Sequence, residues 1–136
     1  MDIALDLARA QAGRTGDNPA VGCVIVKAGK IIGYGATADG GRPHGEIMAL
    51  QSCTEDPKGA RIYVTLEPCS HYGRSGPCAD ALVKAEISEC IIAARDPNPQ
   101  VNGQGIAKLE AAGISARTGD GEAQAAAVMA DFFARF

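Results

Sequence analysis

The chain has 136 residues, of which 46% are hydrophobic, 21% charged and 4% aromatic, and its net charge is −3. This size and composition are typical of one globular domain with an aliphatic core, and they exclude disordered and fibrous proteins. A chain with a net negative charge lacks the positive electrostatic potential on which nonspecific binding to nucleic acid depends. We therefore expect no nucleic-acid partner.

The sequence also indicates where in the cell the protein is expected. No apolar run approaches the roughly 20 residues of a membrane helix, and residues 1–6 lack the basic start of a signal peptide. Five cysteines are an odd number, which fits a reducing compartment better than a disulfide framework. We therefore expect a cytoplasmic protein without a membrane partner. Three of the cysteines are expected to be small buried side chains, and these are Cys23, Cys53 and Cys90.

The N-terminal third of the chain predicts a helix followed by a hairpin. Three apolar residues recur at helical spacing, namely Ile3, Leu7 and Ala10. Residues 21–27 and 31–35 are β-branched or extended runs on either side of a short turn, which is typical of two antiparallel strands.

A second helix is predicted over residues 44–52, with Pro43 at its entry. His44 and Glu46 then lie at or just inside the helix start. Residues two apart do not share a face of a regular helix, so the two side chains converge only if His44 sits on an irregular first turn.

The remainder of the chain alternates strands with helices. The expected strands are 61–66, 89–94 and 114–117, and the expected helices are 78–85, 105–112 and 122–134. This alternation predicts a three-layer α/β/α domain around one mixed central sheet, with residues 1–136 forming a single domain.

One imidazole and two thiols stand out as candidate metal ligands. Zinc takes such groups readily, so His44, Cys69 and Cys78 can fill three tetrahedral corners and leave the fourth for a water that the metal acidifies. Two other interpretations stay open, a disulfide between Cys69 and Cys78 and a purely structural zinc.

Glu46 is the candidate proton shuttle for hydrolysis of an amidine-like C–N bond. One carboxylate can move a proton from water to a ring nitrogen and deliver another to the leaving amine. The zinc-deaminase signature is H-x-E followed by P-C-x-x-C, whereas here eight residues separate Cys69 from Cys78. The long spacing distinguishes this chain from most members of that group.

These residues resemble a known family, the deaminase domain of the bifunctional riboflavin-biosynthesis deaminase/reductase. The matching segments are Asn18-Pro19-Ala20-Val21-Gly22-Cys23, His44-Gly45-Glu46, Thr65-Leu66-Glu67-Pro68-Cys69-Ser70-His71-Tyr72-Gly73-Arg74 and Asp96-Pro97-Asn98-Pro99-Gln100-Val101. The resemblance implies a cytidine-deaminase-like fold, Zn2+ held by His44, Cys69 and Cys78, and Glu46 as the catalytic proton shuttle.

The resemblance also implies a substrate and its contacts. The enzyme would be a hydrolase that converts 2,5-diamino-6-(5-phosphoribosylamino)pyrimidin-4(3H)-one to 5-amino-6-(5-phosphoribosylamino)uracil and ammonia. Asn18 would read the ring edge, a segment between the cysteines would approach the phosphate, and a later loop would contact the ribose. The phosphate-side residues are His71, Arg74 and Ser75, and the ribose-side residues are Asp96 and Asn98, whose plainer interpretation is turn formation.

Some features depart from the family pattern. Ser75-Gly76 replaces a more common Thr-Pro pair, which motivates an alternative, a zinc deaminase for another small aminopyrimidine or purine of the cytosine, cytidine or guanine type. A zinc-stabilised binding module without catalysis is a third hypothesis. The chain ends about where the deaminase domain ends in the bifunctional enzyme, so we expect no reductase domain here. A homo-oligomer and a reductase partner, separate or fused, are expected from the resemblance.

Overall fold

The computed structural model describes residues 1–71 and 76–136, in which strands and helices alternate along the chain. The strands are β1 (Gly22–Lys27), β2 (Lys30–Ala36), β3 (Arg61–Leu66), β4 (Glu89–Ala94) and β5 (Ser115–Thr118). The helices are α1 (Asp2–Gln11), α2 (Gly45–Gln51), α3 (Cys78–Lys84), α4 (Gln104–Ala111), α5 (Glu122–Val128) and α6 (Ala130–Phe133).

The five strands form one mixed sheet in the order β2-β1-β3-β4-β5. β1 pairs antiparallel with β2 and with β3, whereas β4 pairs parallel with β3 and with β5. Ala28 and Gly29 have positive φ angles of 51° and 76°, which close the tight turn between β1 and β2. The predicted hairpin and mixed sheet are confirmed.

Helices cover both faces of the sheet. α1 and α5 contact each other and pack on one face, while α2, α3 and α4 form a contiguous layer on the other. The interior is aliphatic, as the low aromatic content predicts, and the fully buried strand residues include Ile25, Ile62, Val64 and Ile92. The predicted three-layer α/β/α architecture is confirmed.

The buried face of α1 differs from the sequence prediction. Ala4, Leu5 and Ala8 are buried, whereas Ile3 is 51% exposed. The reason is the close approach of α1 to the sheet, since a Cβ added to Gly22 would overlap the carbonyl oxygen of Ala4. Where α1 crosses Gly22, the small Ala4 and Ala8 allow this close approach, and Leu5 beside them packs into the core.

The predicted last helix over 122–134 is two helices. Met129 has φ −104° and ψ 30°, which ends α5 and lets α6 begin at the next residue. Met129 is buried in the core, so tertiary packing holds the break in place. Beyond it, Phe132 and Arg135 reach the candidate site.

All five cysteines lie within the described ranges and are free thiols. Cys23 and Cys90 are fully buried, as expected, and Cys53 is half-buried. The described ranges contain no helix with both the length and the apolar character needed to cross a membrane.

Candidate active site

The site forms where the parallel strands β3 and β4 end. Their carboxyl ends lie side by side, because Leu66 pairs with Ala94 at the last register position. The chain leaves β3 through Glu67 and Pro68 to reach Cys69, and it leaves β4 into the loop that carries Asp96. Clefts at the carboxyl ends of parallel strands are the usual ligand sites of open α/β sheets.

His44 and Glu46 approach the same point from the start of α2. His44 is the residue before the helix and is extended, with φ −68° and ψ 163°, whereas Glu46 lies in the first turn. The irregular start that convergence of the two side chains requires is therefore present. Glu46 is 3% exposed, which is rare for a carboxyl group without a specific role.

Cys69 and Cys78 are brought together by the start of α3. The backbone N–H of Cys78 donates to the sulfur of Cys69 at 3.0 Å, and the N–H of Ala79 donates to the carbonyl of Cys69 at 3.0 Å. Cys69 itself lies outside any helix. The N-terminus of α3, whose first backbone N–H donates to this sulfur, favours the thiolate form of Cys69.

His44, Cys69 and Cys78 form a group that could hold a metal ion. The Nδ1 atom of His44 lies 3.8 Å from the sulfur of Cys69 and 3.4 Å from that of Cys78. The three ligand atoms all lie within 4.8 Å of one another. A tetrahedral zinc would place neighbouring nitrogen and sulfur ligands about 3.6 Å apart, so both the donor types and their spacing fit zinc.

The two thiols titrate in opposite directions. Hydrogen bonds from the Cys78 side chain, from His44 and from the Cys78 backbone lower the pKa of Cys69 to about 4, against the effect of its burial. The pKa of Cys78 is raised well above its usual range, first because its own proton makes the bond to Cys69 and second because it is buried. The pair therefore already holds one thiolate at neutral pH. Metal binding requires that both thiols be deprotonated.

The Glu46 carboxyl is tuned toward proton transfer. Burial, and next the negative charge of Cys69, raise the pKa of Glu46 to about 7, while its backbone hydrogen bond and the neighbouring His44 and Cys78 oppose the rise. A group whose pKa lies near the working pH can both accept and donate a proton, as a general acid/base must.

A cavity of about 250 Å³ opens beside this group. His44, Glu46 and Cys69 line it. Four predicted substrate residues line the same cavity, and these are Asn18, His71, Asp96 and Asn98. Arg74 and Ser75 lie outside the described residues.

The sequence analysis missed several other residues of the cavity wall, which are Thr37, Arg42, Glu67, Phe132, Arg135 and Phe136. Arg135 donates to the carbonyl oxygen of Asp17 at 2.8 Å and lies over the ring of Phe132, with 5.6 Å between the guanidinium carbon and the ring centre. The C-terminal segment thus contacts the loop of Asn18. Nothing in the local pattern of 122–136 signals this contact, because Arg135 and Asp17 lie 118 residues apart.

An α/β/α domain with a His-Cys-Cys group beside a buried glutamate defines a zinc-binding deaminase fold. The chain belongs to the family of the cytidine and deoxycytidylate deaminase zinc-binding region, whose model matches residues 1–94. All the residues placed above as possible zinc ligands, together with Glu46, fall within the matched part.

Relatives agree with this assignment. The chain is 47% identical over 133 residues to the riboflavin biosynthesis protein RibD of Aquifex aeolicus, covering 98% of the chain and 37% of that protein. RibD of Acinetobacter baumannii superposes with a TM-score of 0.94 at 46% identity, covering 98% of this chain and 38% of the other. The Thermotoga maritima diaminohydroxyphosphoribosylaminopyrimidine deaminase/5-amino-6-(5-phosphoribosylamino)uracil reductase superposes with a TM-score of 0.90 at 41% identity, covering 98% and 39%. The chain thus spans less than two fifths of the length of these relatives.

Proposed function

We propose that the chain carries the deaminase step of riboflavin biosynthesis, the conversion of 2,5-diamino-6-(5-phosphoribosylamino)pyrimidin-4(3H)-one to 5-amino-6-(5-phosphoribosylamino)uracil and ammonia. The observation that carries the proposal is the burial of Glu46 beside the His44, Cys69 and Cys78 group, in a cavity that Asn18 and Asp96 also line. The similarity to relatives that bear a deaminase/reductase name supports the choice of substrate.

His44, Cys69 and Cys78 would hold the zinc, which when bound supplies a water acidified toward a pKa of about 7. Two thiolates and a neutral imidazole would balance the charge of the dication, and all three side chains sit on ordered starts of helices or at the end of a strand. Their placement before binding reduces the ordering that the metal must impose.

Glu46 would move the protons of the reaction. Water adds to the ring carbon that bears the 2-amino group, and Glu46 carries a proton from that water to the adjacent ring nitrogen. It then takes the proton of the added hydroxyl and delivers it to the departing amine, so that a C=O bond replaces the C–N bond and ammonia leaves. Burial raises the pKa of Glu46, and a carboxyl with a raised pKa can take both parts.

The cavity wall would recognise the rest of the substrate. Asn18 offers an amide donor and acceptor to the ring edge. Asp96 and Asn98, on the loop after β4, would contact the ribose, and His71, which lines the same cavity, would contact the phosphate. Arg74 and Ser75 are proposed, from the sequence alone, to bind the phosphate. The planar guanidinium group of an arginine can make two parallel hydrogen bonds to a phosphate.

Four further statements belong to the same proposal. Residues 1–136 form one deaminase domain, supported by the single sheet and its continuous core. A reductase activity acts on the product from a separate or fused partner, supported by the greater length of the relatives. A homo-oligomer is proposed from the resemblance alone. A cytoplasmic setting is supported by five free thiols.

The test is ammonia release by the purified, zinc-loaded chain from a panel of substrates. We expect turnover of the phosphoribosylamino compound and little from cytosine, cytidine or guanine. Turnover of one of these simpler compounds, with none of the phosphorylated one, would support the alternative deaminase and reject the proposed substrate.

A further inference from the structure

The Glu67 carboxylate is the common acceptor for both ends of the segment that follows β4. Its Oε1 accepts the backbone N–H of Asp96 at 3.1 Å and of Gly103 at 3.0 Å. Its Oε2 accepts the backbone N–H of Gly105 at 3.0 Å and of Ile106 at 3.3 Å. One side chain, 4% exposed, therefore satisfies four donors from a single stretch of backbone.

The surroundings of Glu67 suit a carboxylate side chain as the anchor. Gly105 and Ile106 belong to the first turn of α4, where backbone N–H groups have no partner within the helix and the helix dipole attracts negative charge. Hydrogen bonds to an ionised acceptor are stronger than those between neutral groups. A neutral side chain at position 67 would hold the segment less firmly.

The positions of Asp96 and Asn98 depend on this anchor. Oδ1 of Asp96 accepts the N–H of Asn98 at 2.9 Å, and the carbonyl of Asp96 accepts the side-chain amide of Asn102 at 3.0 Å. Since the N–H of Asp96 is itself held by Glu67, the chain of bonds runs from Glu67 to both proposed ribose-contacting residues.

Glu67 also connects this loop to the metal side of the cavity. It lies two residues before Cys69, and its own N–H donates to the carbonyl of Ala94 at 2.9 Å. A Cβ added to Gly105 would overlap the carbonyl oxygen of Pro68, so the two segments touch backbone to backbone. The loop and the turn that carries Cys69 are thereby packed as one unit.

We infer that Glu67 is a positioning residue that fixes Asp96 and Asn98 relative to the zinc-side residues and so sets the preference for a substrate with a ribosyl group. The inference rests on the proposed function. It assigns a role to the Glu67 side chain through the loop, without contact between Glu67 and the reacting atoms.

The test is steady-state ammonia release by the zinc-loaded Glu67→Gln variant. Glutamine keeps the size of the side chain but places an N–H donor against two of the four backbone donors. We expect kcat/KM for the phosphoribosylamino substrate to fall about 10- to 100-fold, the range that a displaced binding group produces, mainly through KM. Zinc content should stay at one equivalent. The inhibition constant of the free base, 2,5,6-triaminopyrimidin-4-one, should stay unchanged because it lacks the ribose.

Glu89→Gln is the matched control. Glu89 is also a carboxylate on the sheet, but it pairs with Arg61 and Arg117 at the opposite end of β4 and lies far from the cavity. Its substitution should leave both constants at their wild-type values.

Three results would overturn the inference. One is a wild-type KM in Glu67→Gln, and another is a free-base inhibition constant that rises as much as KM, which indicates general damage. The third applies even if the variant does not fold: rapid hydrogen exchange of the Asp96 and Gly103 amides in the wild-type protein, where Glu67 should protect them. A wild-type chain that releases no ammonia from the phosphoribosylamino compound would instead contradict the proposed function.

Discussion

The backbone N–H of Cys78 donates to the sulfur of Cys69 at 3.0 Å, so one of the two cysteines orients the other before any metal arrives. The bond forms because α3 begins at Cys78, with eight residues between the two cysteines, and the N–H of that first helical residue faces the sulfur of Cys69. It keeps the sulfur of Cys69 in reach of His44 and helps to lower the pKa of Cys69 to about 4. Eight intervening residues thus still leave the two sulfur atoms close enough to hold one metal ion together with His44.

Replacing either cysteine of this pair should remove the metal. We expect Cys69→Ser and Cys78→Ser each to weaken zinc binding by about 100-fold or more, because a hydroxyl does not supply the thiolate. Metal analysis of the purified variants and their ammonia release would measure the loss. Cys53→Ser is the matched control, since Cys53 lies outside the group and its sulfur contacts the carbonyl of Ala49. One equivalent of tightly held zinc in both variants would contradict the ligand assignment.

The close contact between Gly105 and Pro68 predicts a loss of stability on adding a methyl group. A Cβ at position 105 would overlap a backbone oxygen, which cannot turn aside as a flexible side chain can. We expect Gly105→Ala to lower the free energy of unfolding by about 1–3 kcal/mol, despite the higher helix propensity of alanine. Urea denaturation would measure it. Glu110→Ala, at an exposed position of the same helix, should change stability by less than about 0.5 kcal/mol, and an equal effect of the two would refute the packing argument.

The ionised side chain of Asp96 should lower the free energy of unfolding at neutral pH. Burial, and then the nearby Glu67, raise the pKa of Asp96, against the hydrogen bond from the N–H of Asn98. Because the folded pKa exceeds the unfolded value of about 3.9, ionisation above that pH favours the unfolded chain. Asp96→Asn should therefore melt at a higher temperature than wild type at pH 7.

This difference should shrink as the pH falls through the folded pKa and vanish below about 3.9, where the aspartate is protonated in both states. Thermal melts of both proteins across this range would measure it. The same variant should have a raised KM for the ribosylated substrate. A gap in melting temperature that does not change with pH would show that the charge of Asp96 has no part in the effect.

The local parts of the site were predictable from the sequence. His44 and Glu46 lie two residues apart at a helix start, and Cys69 follows a clear apolar strand, so short-range patterns predict the position of each. The structure then added the distances between them.

The parts that the sequence did not reveal depend on distant contacts. Glu67 stands inside a recognisable motif, but its partners lie 29 to 39 residues away, so its role was not visible. Ile3 fits the helical period of α1 and is nevertheless exposed, because the closeness of α1 to Gly22 decides which face is buried. The break at Met129 likewise follows from burial of that side chain and not from any local signal.

The central claim is that Glu46 carries the protons of a hydrolytic deamination beside the bound zinc. The most direct measurement is ammonia release and zinc content of Glu46→Gln compared with wild type, on the phosphoribosylamino substrate. Glutamine fills the same buried space but cannot shuttle a proton, so we expect kcat to fall about 10²- to 10⁴-fold while one equivalent of zinc remains bound. A Glu46→Gln protein that holds zinc and turns over at the wild-type rate would contradict the claim.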